Sequence, residues 1–185
     1  MMKNNLNYRY LGMYLAVGIA SGFLCHFSGI IDIDLDFFST NFTPAIILGI
    51  MISLAGRYIG GITPRNPWLS PLILTLACGI GWFLALHFGA KYWAEDWSWI
   101  ASGIIGGFFV GIGLVIAWKL KRAWTALILT TLAGGLGGLV YMLFHVALNF
   151  TDIEELLLLV EWQGILLIGV GVTIDLDARP AKVGK

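Results

Sequence analysis

Six apolar stretches, each long enough to cross the hydrocarbon of a bilayer, take up most of this 185-residue chain. They run over residues 10–31, 37–56, 71–88, 98–118, 123–150 and 156–174. Five contain no Asp, Glu, Lys or Arg, and the sixth contains only Glu161. A bilayer core of ~30 Å takes about 20 helical residues, and a helix satisfies its backbone hydrogen bonds within its own segment. The chain therefore reads as an all-α polytopic membrane protein, one integral-membrane domain over residues 1–185 in contact with lipid. Charged residues make up 12% of it, about half the share in soluble domains, and the net charge is zero. No soluble domain fits between the spans, and nothing draws the chain to nucleic acid.

The connections set the orientation. Ten of the eleven Lys and Arg fall before the first span, in the second and fourth connections, and in the tail; Lys91 is the exception. The other connections hold Asp32, Asp34 and Asp36, then Glu95 and Asp96, then Asp152, Glu154 and Glu155. Because cytoplasmic loops carry the excess of Lys and Arg, both termini are expected in the cytoplasm, with the inner membrane of a bacterium as the setting. Tryptophans at the span ends fit interfacial belts: Trp93, Trp97, Trp99 and Trp162 outside, Trp68, Trp118 and Trp124 inside, with Trp82 alone in mid-span. A cleaved signal ending at Gly18-Ile19-Ala20 is the competing reading of the first span, but the apolar run continues past that site to Ile31.

The chain also repeats itself. Gly18 to His26, Gly79 to His87 and Gly137 to His145 each place a Gly eight residues before a His near the outer end of an odd-numbered span. An offset of 58 also maps Gly106, Gly111 and Gly113 onto Gly164, Gly169 and Gly171. The unit is a helical hairpin, and three in the same orientation predict a six-helix bundle of approximate threefold order about the membrane normal. Small residues four apart allow helix backbones to approach closely, so Ala16/Ala20, Gly18/Gly22, Gly103/Gly107/Gly111 and Gly134/Gly138 are the expected packing ladders.

Helical spacing puts Gly18, Gly22 and His26 on one stripe, Gly79, Phe83 and His87 on a second, and Gly134, Gly138, Tyr141 and His145 on a third. Glu161 shares a stripe with Gly164, Ile168 and Gly171. Counted from the span ends, His26, His145 and Glu161 lie roughly 7–9 Å below the outer surface. His26, His87, His145 and Glu161 are therefore the candidate site: inward imidazoles and a carboxylate in one layer, suited to a transition-metal ion, a proton or the polar end of a solute pocket. The plainer alternative makes the histidines copies of a helix-end residue that bonds a backbone carbonyl or a loop acid. Asp32 to Asp36 lacks the Gly and Glu of a calcium loop, and Cys25 and Cys78 differ too much in depth for a disulfide.

The six spans, cytoplasmic termini and Ala16-Val-Gly-Ile-Ala20 pattern resemble the substrate-capture subunits of energy-coupling-factor vitamin transporters. That resemblance covers the topology and one small-xxx-small motif. It implies a first helix that docks a membrane partner and a solute site near the outer face; the threefold hairpin repeat departs from that family's pattern. No nucleophile, base and orienting partner can be assembled, so enzyme chemistry is not expected. The leading expectation is a small transport or solute- or ion-binding protein. A non-catalytic assembly subunit, packing on a membrane partner or on its own copies, is the alternative, and a haem-binding electron-transfer subunit is the third.

Overall fold

The computed structural model describes residues 7–30, 38–89, 97–148 and 154–179; the side chains of 28–30, 38–41, 88–89, 145–148 and 154–155 lie outside the description. The loop acids Asp32, Asp34, Asp36, Glu95, Asp96 and Asp152, together with Lys91 and Trp93, also fall outside it. Among the described residues there are six α-helices: α1 Tyr8–Ile30, α2 Phe38–Tyr58, α3 Leu69–Leu84, α4 Trp97–Ala117, α5 Ala123–Leu148 and α6 Glu154–Ala178. A π-helical turn, Ala85–Gly89, continues α3. Five of the helices are long and apolar enough to cross a membrane, and α2 contributes a shorter apolar segment, Phe42–Tyr58. The chain is thus a multi-pass membrane protein.

The helices stand in a ring. Each packs against its neighbours in sequence, α6 returns to α1, and α6 also reaches across to α2. Contacts such as Tyr14 with Ala55 and Cys25 with Pro44 make α1 and α2 antiparallel. Alternation brings the N-termini of α1, α3 and α5 and the C-termini of α2, α4 and α6 to one end, called here the basic end because Arg57, Arg65, Lys119, Lys121, Arg122 and Arg179 lie there. The opposite end is called the far end.

The glycines set how closely the helices approach. A Cβ on Gly18 would fall 2.6 Å from the Gln163 carbonyl oxygen of α6, and one on Gly22 would fall 2.5 Å from Val160 Cα. Between α4 and α5, Gly103 stands against the Gly134 backbone, Gly107 against Thr130, Gly111 against Leu127 and Thr130, and Gly138 against Trp99. Ala16 and Ala20 differ: they lie exposed on the other face of α1, because Tyr14, Gly18, Ser21, Gly22 and Cys25 are the residues that α1 buries. α1 runs unbroken through Gly18-Ile19-Ala20.

The core joins Tyr14, Ile52, Leu74, Leu114, Trp118, Leu166, Leu167, Val170 and Ile174. α6 buries residues all round its circumference, as its three helix neighbours require. Thr130 and Thr173 return their hydroxyls to the carbonyls of Ala126 and Gly169, which satisfies them without water.

Among the described residues, the buried side-chain polar groups of the basic end have partners. The Asp177 carboxylate of α6 accepts the backbone N–H groups of Lys121 (2.7 Å) and Arg122 (2.8 Å), serving as a cap for α5 from another helix. Arg179 pairs with Asp175, so α6 continues to Ala178, four residues past the expected end at 174. The Asn66 side chain caps α3 through Trp68 and Leu69, and Ser70 donates to the Ala117 carbonyl at the end of α4. Gly61, at φ +61°, turns the chain out of α2 where a side chain would be strained.

Trp68, Trp97 and Trp124 are exposed, as an interfacial belt requires, but Trp118 and Trp162 are buried. Trp118 packs its ring where a side chain on Gly56 would otherwise stand. Here packing against glycine prevails over the interfacial preference of indole. Cys25 and Cys78 are buried and are not joined in a disulfide.

Candidate functional site

Polar groups are treated differently at the two ends. Among the described residues, five buried side-chain atoms have no hydrogen-bond partner: Ser21 Oγ, His26 Nδ1, Trp82 Nε1, Glu161 Oε2 and Trp162 Nε1. All five belong to the half of the bundle nearer the far end. Burying such a group unpaired costs about 1–3 kcal/mol in proteins, and hydrocarbon surroundings supply no substitute.

These atoms fall into two groups on either side of α6. The first follows the seam between α1 and α6. Glu161 shares its strip of α6 with Gly164 and Gly171, which meet Leu15 and Tyr14 of α1. It is partly exposed, with Oε2 withdrawn from solvent. Between the two helices lies a buried pair: Gln163, fully enclosed, donates from Nε2 to Cys25 Sγ at 3.3 Å, and Cys25 donates onward to the Pro44 carbonyl of α2 at 3.6 Å. This pair ties three helices together and was not anticipated from the sequence. The sequence signal for it is a lone amide, Gln163, in a largely apolar span.

The second group lies inside the ring. Trp82 of α3 and Trp162 of α6 approach with ring centroids 6.2 Å apart and planes at 55°. They line a cavity of about 90 Å³ together with Ala85, Leu86, Trp99, Ser102, Gly103, Gly106, Gly138 and Leu158. Trp162 is 8% exposed. Its indole fits because α4 and α5 carry glycine beside it: a Cβ would fall 2.6 Å from Trp162 Cζ2 at Gly106 and 2.9 Å from Cδ1 at Gly137.

The four residues proposed from the sequence are placed unequally. Since Gly22 meets Val160, Glu161 is level with Ser21 and Gly22, and His26 stands four residues, about 6 Å, nearer the far end. The two are one turn apart in depth, not in a single layer as the count from the span ends suggested. His87 is exposed, stacked on Phe83 with centroids 4.3 Å apart. The reason is the buried row of α3: Leu74, Cys78, Gly81 and Ala85 face neighbouring helices, which turns Phe83 and His87 to the outside. The imidazole of His145 lies outside the description. Among the described residues no group of three or more His, Cys, Asp or Glu converges as a metal site would need. His87 is exposed whereas His26 is half-buried, so the two do not form an enclosed pair as two haem ligands would.

Comparison with protein-family models, curated proteins and solved structures finds no match.

Proposed function

We propose that this protein is a small transport or solute-binding membrane protein that takes its ligand from the far end, with both termini cytoplasmic in a bacterial inner membrane. In this reading its six spans are three like-oriented hairpins packed through their glycine ladders. The observation that supports it is the asymmetry of polar satisfaction. The basic end pairs its buried polar groups, whereas the far half leaves Ser21, His26 and Glu161 with atoms that lack partners along one seam. A solute, an ion or exchanging protons would supply what is missing. His26 and Glu161 are the titratable members, His87 contributes nothing directly, and His145 is a candidate through its place in the repeat.

The test is thermal unfolding in detergent with transition-metal ions, pH and vitamins varied in turn. A ligand at about 100 times its dissociation constant stabilises the folded state by ~2.7 kcal/mol. Wild type and His87→Ala should gain stability from the same addition, whereas His26→Ala and Glu161→Gln should not. Identical responses from all four proteins would remove the site.

A second reading, an assembly subunit, is favoured by one face of α1. Gly12, Ala16 and Ala20 form an exposed row four residues apart, and a Cβ on Gly12 would meet nothing within 4 Å. Such a row lets another helix approach closely. The Gly18/Gly22 and α4–α5 ladders are occupied within the chain, so a partner would use the Gly12/Ala16/Ala20 face. Purification in mild detergent as a partner-free monomer would count against this reading.

A further inference from the structure

Another cavity, of about 70 Å³, opens at the basic end between α2 and α3. Ser53, Leu54, Arg57 and Tyr58 of α2 line it together with Pro67 and Pro71. The apolar segment of α2 ends at Tyr58 and that of α3 starts at Leu69, so the cavity lies at the head-group level of a bilayer, beside the exposed Trp68. Its wall is fixed in advance. In the connection between the two helices the Ile62 N–H donates to the Gly56 carbonyl and the Arg65 N–H to the Ala117 carbonyl at 2.9 Å. Arg65 Nε donates to the Trp118 carbonyl at 3.3 Å, and Pro64 and Pro67 restrict the backbone further.

The charge at this cavity is positive. Arg57 lines it and lies exposed, its guanidinium 5.6 Å from the centroid of the Tyr58 ring. Residues 37–94 contain no Asp or Glu. The acids described at the basic end are engaged elsewhere: Asp175 pairs with Arg179, and Asp177 accepts from the start of α5. Among the described residues Arg57 makes no ion pair. One turn before it, Ser53 brings a hydroxyl to the same lining.

Below the cavity the surface is aliphatic. Ile46, Ile50 and Leu54 are exposed four residues apart, a row of about 12 Å that runs from the cavity toward the middle of the membrane. A dissolved phosphate would leave this row unused, whereas a phospholipid lays an acyl chain along it while its phosphate meets Arg57 in a charge-assisted hydrogen bond. A head-group amine would find no carboxylate there and would face Arg57 and Arg65, so an anionic lipid is favoured over a zwitterionic one. The geometry points to a binding site for one anionic phospholipid, with its phosphate against Arg57 and Ser53 and an acyl chain on Ile46, Ile50 and Leu54. This site is independent of the seam that carries His26 and Glu161.

Native mass spectrometry of the whole protein tests this, by counting the lipid that stays bound on release from micelles containing equal amounts of phosphatidylglycerol and phosphatidylcholine. Arg57→Gln removes the charge at the cavity. Lys121→Gln removes an exposed charge at the same end but outside the lining, and Ser53→Leu fills the cavity while keeping every charge. Wild type should retain one phosphatidylglycerol in preference to phosphatidylcholine. Arg57→Gln and Ser53→Leu should each weaken that retention by about tenfold or more, and Lys121→Gln by less than about twofold. Equal retention of the two lipids, equal losses in Arg57→Gln and Lys121→Gln, or undiminished retention in Ser53→Leu would overturn the proposal, since attraction to an anionic surface is then diffuse. So would displacement of the lipid by inorganic phosphate, because a soluble anion then takes the site. The seam variants His26→Ala and Glu161→Gln should retain the lipid, so failure of this site and failure of the seam are distinguishable.

Discussion

Trp162 Cζ2 occupies space that a side chain on Gly106 would need: a Cβ there would stand 2.6 Å away. The contact joins α6 to α4 across the interior and places the indole against the cavity. Gly106→Ala should therefore displace a buried ring, at the cost of about 1–3 kcal/mol expected for overpacking. Gly12→Ala meets open space and should stay within about 0.5 kcal/mol of wild type. Unfolding of both variants in mixed micelles with increasing sodium dodecyl sulfate measures the difference.

Asp177 should act as the cap of α5. Asp177→Ala leaves the N–H groups of Lys121 and Arg122 without their shared acceptor and should lower stability by ~1 kcal/mol, within the usual range for cap removal. Asp177→Asn keeps an acceptor oxygen and should lose less. Hydrogen exchange localises the effect: the first turn of α5 should lose protection in Asp177→Ala, while the middle of the helix keeps it.

The Tyr14 hydroxyl donates to the Ala55 carbonyl at 3.2 Å, but that carbonyl also accepts from the N–H groups of Ile59 and Gly60. Removing the hydroxyl in Tyr14→Phe leaves the Ala55 carbonyl with two donors and takes from the Tyr10 hydroxyl only a long contact of 3.5 Å. The expected loss is therefore at the low end for a hydrogen bond, about 0.5 kcal/mol, although the ring is fully buried. Thermal unfolding of the variant in detergent checks it; a loss above ~2 kcal/mol would mean that the hydroxyl serves a wider network.

Five helices long and apolar enough to cross a membrane were legible because lipid imposes a simple rule: residues without charge, in runs of about 20. The helix limits accordingly fall within a few residues of the sequence reading, and the largest departure, at the end of α6, arises where Arg179 and the N–H groups of α5 neutralise Asp175 and Asp177. Facing was harder to read. A helix with two or three protein neighbours has no single buried stripe, so the spacing of Gly79, Phe83 and His87 gave no reliable direction, and α3 turns the last two outward. Trp162 was illegible for another reason. Indole near a span end reads as an interfacial anchor, and only the glycines across the bundle, Gly106 and Gly137, reveal that a ring is enclosed there. The same applies to Gln163 with Cys25, whose pairing depends on α1 returning to α6 at the close of the ring.

In the proposed function the far half of the bundle is a working polar interior and not a sealed structural core. Glu161 reports on it directly, since its Oε2 is buried and without a partner. Infrared difference spectra between wild type and Glu161→Gln isolate this one carboxyl group, and they can be followed on transfer from H₂O to D₂O and on addition of a stabilising ligand. The Glu161 band should shift on deuteration and again on ligand addition. A band unmoved by both would contradict the proposed function.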